Sequence, residues 1–322
     1  MNKTKKGIKL RVLFAGTPLL AKDILKNLLN NNYNIVGTLT QPDKKVGRNQ
    51  ELEASPVKEL SLEHKIPILQ PAKLDSDTIE QIKELKPDLI IVAAYGKILP
   101  KKLLELPGFK CVNIHTSLLP HLRGPSPIQN SLLLGEEKTG VTTMLMDEGI
   151  DTGDIISQVE VVIDENDTTE TLSKKLSKEG SDLLLKTIPL WINGKIKPQK
   201  QDSSKATLCQ LIEKSDGKIF WNSTAEEIYN RFRAFKKWPG VFCFWETDRG
   251  IKRIKLTNIS INPTENSKER HFGEVFEKDG KIEVQTADGA IVLESIQMEG
   301  KNEMEAGAFA NGYTDFIGNI LK

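Results

Sequence analysis

The chain has 322 residues, 38% hydrophobic and 28% charged, enough for two domains with their own cores and too apolar for a disordered chain. Its 45 Lys and Arg nearly balance 44 Asp and Glu, so at a net charge of +1 no global basic field marks a nucleic-acid partner, and any such surface must be local. No apolar run approaches the roughly 20 residues that span a bilayer, and three cysteines outside any CxxC pair (Cys111, Cys209, Cys243) argue against a structural zinc and for a reducing compartment.

The basic opening, residues 1–9, precedes an apolar stretch (12–15) too brief for a signal-peptide core, so a cytoplasmic protein is expected. Residues 9–15 read as a strand that stops at Gly16-Thr17-Pro18. A helix follows over 19–29, a strand over 35–39, helical turns at 57–64 and 77–85, and buried strands at 88–94 and 111–114. This alternation predicts an α/β domain with a parallel sheet covered on both faces, whose ligands bind beyond the carboxyl ends of the strands. Those ends carry Gly16-Thr17-Pro18, Tyr95-Gly96 and the segment that begins at Asn113. Phe14-Ala15-Gly16-Thr17 lacks the GxGxxG spacing, and no acidic residue is placed for a ribose, so a dinucleotide cofactor is not expected.

A helix over 169–191 closes the first domain, 1–194. Residues 195–207 are polar, lysine-rich and without apolar periodicity, and read as a basic linker. In the second domain, 208–322, a helix over 224–235 with Ser223 or Thr224 as its cap precedes strands at 241–246, 251–259, 273–277, 281–286 and 290–297. Asp279-Gly280 and Asp288-Gly289 supply tight turns, and the spacing suggests a small β-barrel of oligonucleotide-binding type. Its aromatic residues (Phe220, Trp221, Trp238, Phe242, Phe244, Trp245) read as core rather than as stacking platforms. Local basic clusters are Lys195, Lys197 and Lys200; Arg231, Arg233, Lys236 and Lys237; and Lys252, Arg253 and Lys255. Each is a candidate nucleic-acid contact, and equally a solvated face.

The densest polar constellation is Asn113-Ile114-His115-Thr116-Ser117-Leu118-Leu119-Pro120. In a strand, Asn113 and His115 project from the same face. A second segment, 146–154, sets Asp151 between Gly149 and Gly153, which would let the loop fold closely on neighbouring backbone. An amide can stabilise an oxyanion without titrating, an imidazole can donate or relay a proton, and a carboxylate beside it favours its charged form. Such a set needs neither a metal nor a covalent nucleophile. Taken singly, each residue has a structural alternative: a strand-end His is more often structural, and Asp151 could merely shape a turn. His64 and His271 read as surface, and His121 as a loop residue near the site.

The run 113–120, followed 36 residues after His115 by Asp151 in GIDTGD, resembles the signature of the 10-formyltetrahydrofolate-dependent formyltransferase superfamily. FAGTP at 14–18, TQPD at 40–43, SPVK at 55–58, AYG at 94–96, ILP at 98–100, PIQ at 127–129, RAF at 233–235 and WPG at 238–240 are similar to the branch that formylates methionyl-tRNA. The resemblance implies a Rossmann-like catalytic domain, a linker and an oligonucleotide-binding-like barrel that helps to hold tRNA. It makes Asn113, His115 and Asp151 the catalytic trio and lines the folate site with Ser117, Leu118, Leu119 and Pro120. Lys44, Arg48, Lys195 and Lys197 become tRNA contacts. The implied donor is 10-formyltetrahydrofolate and the acceptor methionyl-initiator-tRNA; no metal and no membrane are expected, and a monomer is expected because no long exposed apolar stripe is visible.

Three departures from that pattern stand out. Thr116 replaces a smaller residue beside His115, which would tighten the folate site; His121-Leu122 and Pro125-Ser126 flank Arg123-Gly124 unusually; and Glu51 and Glu53 stand in a loop, 44–54, that is commonly lysine-rich, which would weaken the grip on RNA. Two other readings stay open: a formyltransferase for an amino sugar nucleotide, and an RNA-binding protein whose catalytic half is inactive.

Overall fold

A computed structural model describes residues 9–46, 50–248, 250–264 and 269–322. They fall into two units. Unit 1 holds Met1–Pro127, Lys138–Ile163 and Leu172–Gln210; unit 2 holds Ile128–Glu137, Asp164–Thr171 and Leu211–Lys322.

In chain order the first elements are β1 (Arg11–Gly16), α1 (Leu19–Asn30), β2 (Asn34–Leu39), the hairpin β3 (Lys44–Val46) and β4 (Glu51–Glu53), α2 (Pro56–Glu63) and β5 (Ile68–Leu69). There follow α3 (Ser76–Glu84), β6 (Leu89–Ala93), α4 (Lys101–Leu104), β7 (Cys111–His115), α5 (Pro127–Leu133), β8 (Lys138–Leu145), β9 (Ile155–Val162) and α6 (Thr169–Ile192). Local chemistry sets the helix starts. Ser55 accepts from Lys58 N at 3.1 Å with Pro56 in the first helical position, and Asp75 accepts from Thr78 N at 3.0 Å.

The sheet of unit 1 runs β5-β2-β1-β6-β7-β8-β9. Its five strands from β5 to β7 are parallel, and β6, buried at all five positions, is the continuous apolar run of a strand covered on both faces. The four strands expected from the alternation pair in parallel, and two strands that were not expected, β8 and β9, return antiparallel beside them. That reversal matters for the site. Leu145, the end of β8, pairs with Val112 near the start of β7, so the segment that follows leaves the sheet far from His115 and has to fold back over β7. The opposite face of β7 is closed by α6, where a Cβ added to Gly180 would lie 3.3 Å from Ile114 Cγ2 and Val141 Cγ1. Glycine there lets the helix approach the strand closely.

Unit 2 contains α7 (Ala225–Phe235), β10 (Val241–Thr247), β11 (Gly250–Asn262), β12 (Val275–Lys278), β13 (Lys281–Gln285), β14 (Ala290–Met298), β15 (Met304–Glu305) and α8 (Ala306–Gly312). A capping box starts α7: Thr224 accepts from Glu227 N at 3.1 Å while Glu227 accepts from Thr224 N at 2.9 Å. The antiparallel sheet runs β10-β11-β14-β13-β12, with β15 on β14. Asp279 and Gly280 both have positive φ, as a type I′ hairpin turn requires. This ladder is a half-barrel, and the last residues bridge its two edges. Val275 N donates to Asn319 O at 2.9 Å and Leu321 N to Gly273 O at 2.8 Å on the β12 side, while Phe244 N and Lys322 N each donate to the other residue's carbonyl on β10. Trp245, 1% exposed, anchors the core against Phe309, Tyr313 and Phe316 in edge-on contacts of 5.3–5.7 Å.

Residues 164–171, expected in the first domain, belong to unit 2. Arg233 ties them there: buried to 7% exposure, it donates to the carbonyls of Asp164 and Asp167 and to Asn230 Oδ1. Residues 195–207, expected as a linker, belong to unit 1.

Candidate active site

Asn113 and His115 lie on one face of β7, 9% and 6% exposed. The segment from 146 to 154 departs beside the strand's start, where Met146 N donates to Cys111 O at 2.9 Å, and carries Asp151 back over that face. Gly153 makes this path possible, since a Cβ there would fall 1.7 Å from Leu145 O. Asp151 itself has φ +51, a left-handed conformation that costs a non-glycine residue roughly 1 kcal/mol.

The three side chains meet. Asp151 Oδ2 lies 3.5 Å from His115 Nδ1 and accepts from Gly124 N at 2.9 Å; Asp151 Oδ1 accepts from Asn113 Nδ2 at 3.4 Å. On the far side of the ring, His115 Nε2 is 2.9 Å from Leu122 O. A carbonyl only accepts, so Nε2 carries a proton and Nδ1 is the nitrogen directed at Asp151. The short bonds are therefore those to backbone, and the long ones are those among the trio. Contacts between catalytic groups are often loose until substrate arrives.

The residues expected to line a folate site divide by role. Ser117 is fully buried: its hydroxyl donates to His121 O and its carbonyl accepts from Thr142 Oγ1 at 2.7 Å. Leu119, 3% exposed, is fastened through its N to Thr142 Oγ1 and through its O to Gln158 Nε2. Leu118 packs over Gly140, while Leu118 and Pro120 are half-buried. Thr116 is buried beside His115.

Several site residues were not singled out from sequence. Gln201 Nε2 donates to Asp151 O at 2.8 Å and to Gly153 O at 2.7 Å, while Arg123, 6% exposed, donates from Nε and Nη2 to Gln201 Oε1 at 3.0 and 2.8 Å. Thr207 Oγ1 accepts from Leu122 N at 2.8 Å and contacts His121 Nδ1 at 2.7 Å. Cys209 Sγ lies 3.3 Å from Arg123 O; burial pushes this thiol above its ordinary range, with the Asp151 carboxylate adding to the effect. Arg123-Gly124 follows the polar run after two intervening residues and draws notice in the sequence only for its unusual flanks. Gln201 gave no signal.

The basic clusters fare differently. Lys44, Lys195 and Lys197 are exposed, and Arg48 lies outside the described residues. In β3 and β4, Lys44 pairs opposite Glu53. Arg233 is committed to the interior, and half-buried Arg231 donates to Asp216 O, so neither belongs to a free basic surface. Pairing of β10 with β11 sets Phe242 opposite Lys255 and Phe244 opposite Arg253 on the outer face. Arg253 lies 5.5 Å over the Phe242 ring and Lys218 lies 5.6 Å over the Phe244 ring. Trp221 and Trp245 are core as expected, whereas Phe220 and Trp238 are about half exposed.

Among the described residues no group of three or more His, Cys, Asp and Glu is placed to share a metal ion, and no helix is long and apolar enough to cross a membrane.

Comparison with known proteins matches residues 8–188 to the formyl transferase family and residues 211–314 to the formyl transferase C-terminal domain. The methionyl-tRNA formyltransferase of Caldicellulosiruptor saccharolyticus is 43% identical, covering 96% of this chain and 99% of its own. That of Bacillus subtilis is 41% identical over 97% of each chain. Among solved structures, WlaRD, a sugar 3N-formyl transferase crystallised with dTDP and 5-N-formyl-THF, superposes with a TM-score of 0.64 at 22% identity, covering 92% of this chain and 100% of that one, a likeness of fold.

Proposed function

The chain belongs to the formyl transferase family, on the side of its methionyl-tRNA formyltransferases, and on that premise we propose that it moves the formyl group of 10-formyltetrahydrofolate onto the amino group of methionyl-initiator-tRNA. The observation that carries the reading is the meeting of Asn113, His115 and Asp151 through two contacts of 3.4 and 3.5 Å on one face of β7.

The amine nitrogen attacks the formyl carbon, and the carbonyl oxygen becomes an oxyanion. Collapse breaks the bond from that carbon to N10 of the folate, and the proton lost by the amine ends on N10. Asn113 Nδ2, held only by a long bond, is free to turn to the oxyanion. His115 keeps its Nε2 proton on Leu122 O and directs Nδ1 at Asp151. Asp151, 3.5 Å from Nδ1, orients the ring and helps to pass the proton. Ser117 to Pro120 line the folate site in this reading. Exposed Lys44, Lys195 and Lys197, with Arg48, serve as contacts to RNA phosphates, and the outer face of β10 and β11 offers cations and rings suited to a polynucleotide. The bacterial cytoplasm is the compartment this reading assigns.

The test is formyl transfer from 10-formyltetrahydrofolate to charged initiator tRNA, with an amino sugar nucleotide and glycinamide ribonucleotide as parallel acceptors. Formylation of the tRNA alone is expected. Transfer only to a small amine would overturn the assignment of the acceptor.

A further inference from the structure

Residues 195–207 carry no helical or strand periodicity, yet the segment is sewn onto the loop that holds the site. Arg123 N donates to Thr207 O at 2.9 Å, Cys209 N to Arg123 O at 2.8 Å, and Gln199 and Ile155 exchange both backbone bonds at 2.8 Å. Within it, Gln201 is the one side chain that reaches the backbone of Asp151.

The orientation of its amide is fixed by chemistry. Arg123 has only donors, and two of them point at one oxygen, so that oxygen is Oε1 and the NH2 group faces the other way. There it meets two carbonyls, of Asp151 and Gly153, which can only accept. These carbonyls flank the turn in which Asp151 is held at φ +51. A strained turn persists only where its surroundings over-determine it. Gly124 N holds the carboxylate end of the same residue, and Gly124 follows Arg123 in the chain.

The geometry points to Gln201 as a positioning residue for the reaction: clamped by buried Arg123, its amide fixes the backbone of Asp151 and so aims that carboxylate at His115 Nδ1. This rests on the catalytic reading of the trio given above. It predicts that the chain between the two family-matched regions takes part in catalysis as well as in joining them.

Two substitutions separate positioning from mere packing. Gln201→Glu keeps, and electrostatically strengthens, the contact to Arg123, but it places an acceptor where two carbonyls require donors. Gln201→Met removes both. If Gln201 served only to satisfy Arg123, the Glu variant would work normally. If it aims Asp151, both variants lose kcat by about 10- to 100-fold, the cost of a displacement near 1 Å at a catalytic group. KM for folate and for tRNA should stay within about twofold, since neither substrate is held by this amide.

The deciding experiment places Gln201→Met in an Asp151→Asn background and measures kcat for formyl transfer to charged initiator tRNA. With Asp151 already disabled, the second change is expected to cost less than about twofold, the non-additivity of residues that act as one unit. Losses that multiply in full, or a Gln201→Glu variant with wild-type kcat, would overturn the positioning role while leaving the catalytic trio intact. Wild-type kcat in Asp151→Asn alone would instead overturn the reading of the trio, and the inference with it.

Discussion

In unit 1 the groups proposed for chemistry are largely withdrawn from solvent: Asn113 and His115 are 9% and 6% exposed, the Asp151 side chain 17%, and each is tied to backbone or to a neighbouring side chain. In unit 2 the groups proposed for RNA reach solvent: Arg253 is exposed, Lys218 and Lys255 are half-buried, and aromatic rings or strand neighbours lie beside them. The contrast follows from the two tasks. Stabilising an oxyanion requires dipoles fixed in advance in a site that excludes water, where each interaction is stronger than in bulk. Gripping a polyanion requires charges that displace counterions, and this tolerates motion and exposure. Substitutions in the two units should therefore fail in different ways.

The largest effect is expected in the core of unit 2, where Trp245→Ala leaves a cavity among Phe309, Tyr313 and Phe316 and should cost about 3–5 kcal/mol in urea unfolding. A loss under about 1 kcal/mol would mean that this aromatic cluster does not organise the half-barrel. His115→Ala comes next. It should lower kcat at least 100-fold, about 3 kcal/mol of transition-state stabilisation, with KM little changed. Retention of more than roughly a tenth of wild-type turnover would remove His115 from the chemistry, because such a loss is only about 1.4 kcal/mol.

A smaller effect, and of the opposite kinetic kind, is expected on the outer face of β10 and β11. Arg253→Ala and Lys255→Ala should each raise KM for tRNA by about 1 kcal/mol or less and flatten its salt dependence by roughly one counterion, with kcat preserved. An unchanged salt slope would show that this face does not meet phosphates. The smallest effect concerns pH. Burial pushes the Cys111 and Cys243 thiols up from 9.0 to about 12. The unfolded chain then loses these protons first, so the stability they contribute is whole below pH 9 and is lost as pH rises from 9 to about 12. Alkylation of both thiols at pH 8 should accordingly wait for unfolding; labelling of the native chain at the rate of free cysteine would contradict their burial.

How far the sequence could be read depended on the kind of bond involved. Asn113 and His115 were legible because two polar residues at i and i+2 interrupt an otherwise apolar strand, and Asp151 because glycines flank it. The strands of unit 2 were legible from alternation and turn residues. By contrast β8, with its KTGVTTML sequence, is buried at six positions yet rich in threonine, whose hydroxyls bond carbonyls of Ser117 and Ser157; composition hides such a strand. The parallel expectation held for the strands it named, and the antiparallel pair β8 and β9 went unseen, since nothing local announces the direction of a partner strand. Gln201 was invisible for a related reason. Its bonds reach backbone carbonyls 48 and 50 residues away, and backbone has no sequence signature. Arg233 was misread as surface charge because a formal charge does not disclose that its donors are used on the carbonyls of 164 and 167.

The central claim is that the trio of Asn113, His115 and Asp151 in unit 1 performs formyl transfer. The most direct test is the single-turnover rate from 10-formyltetrahydrofolate to charged initiator tRNA, compared between the wild-type chain and Asp151→Asn with both substrates saturating. The account predicts a fall of about 100-fold or more with tRNA affinity unchanged. A wild-type rate in Asp151→Asn would contradict it.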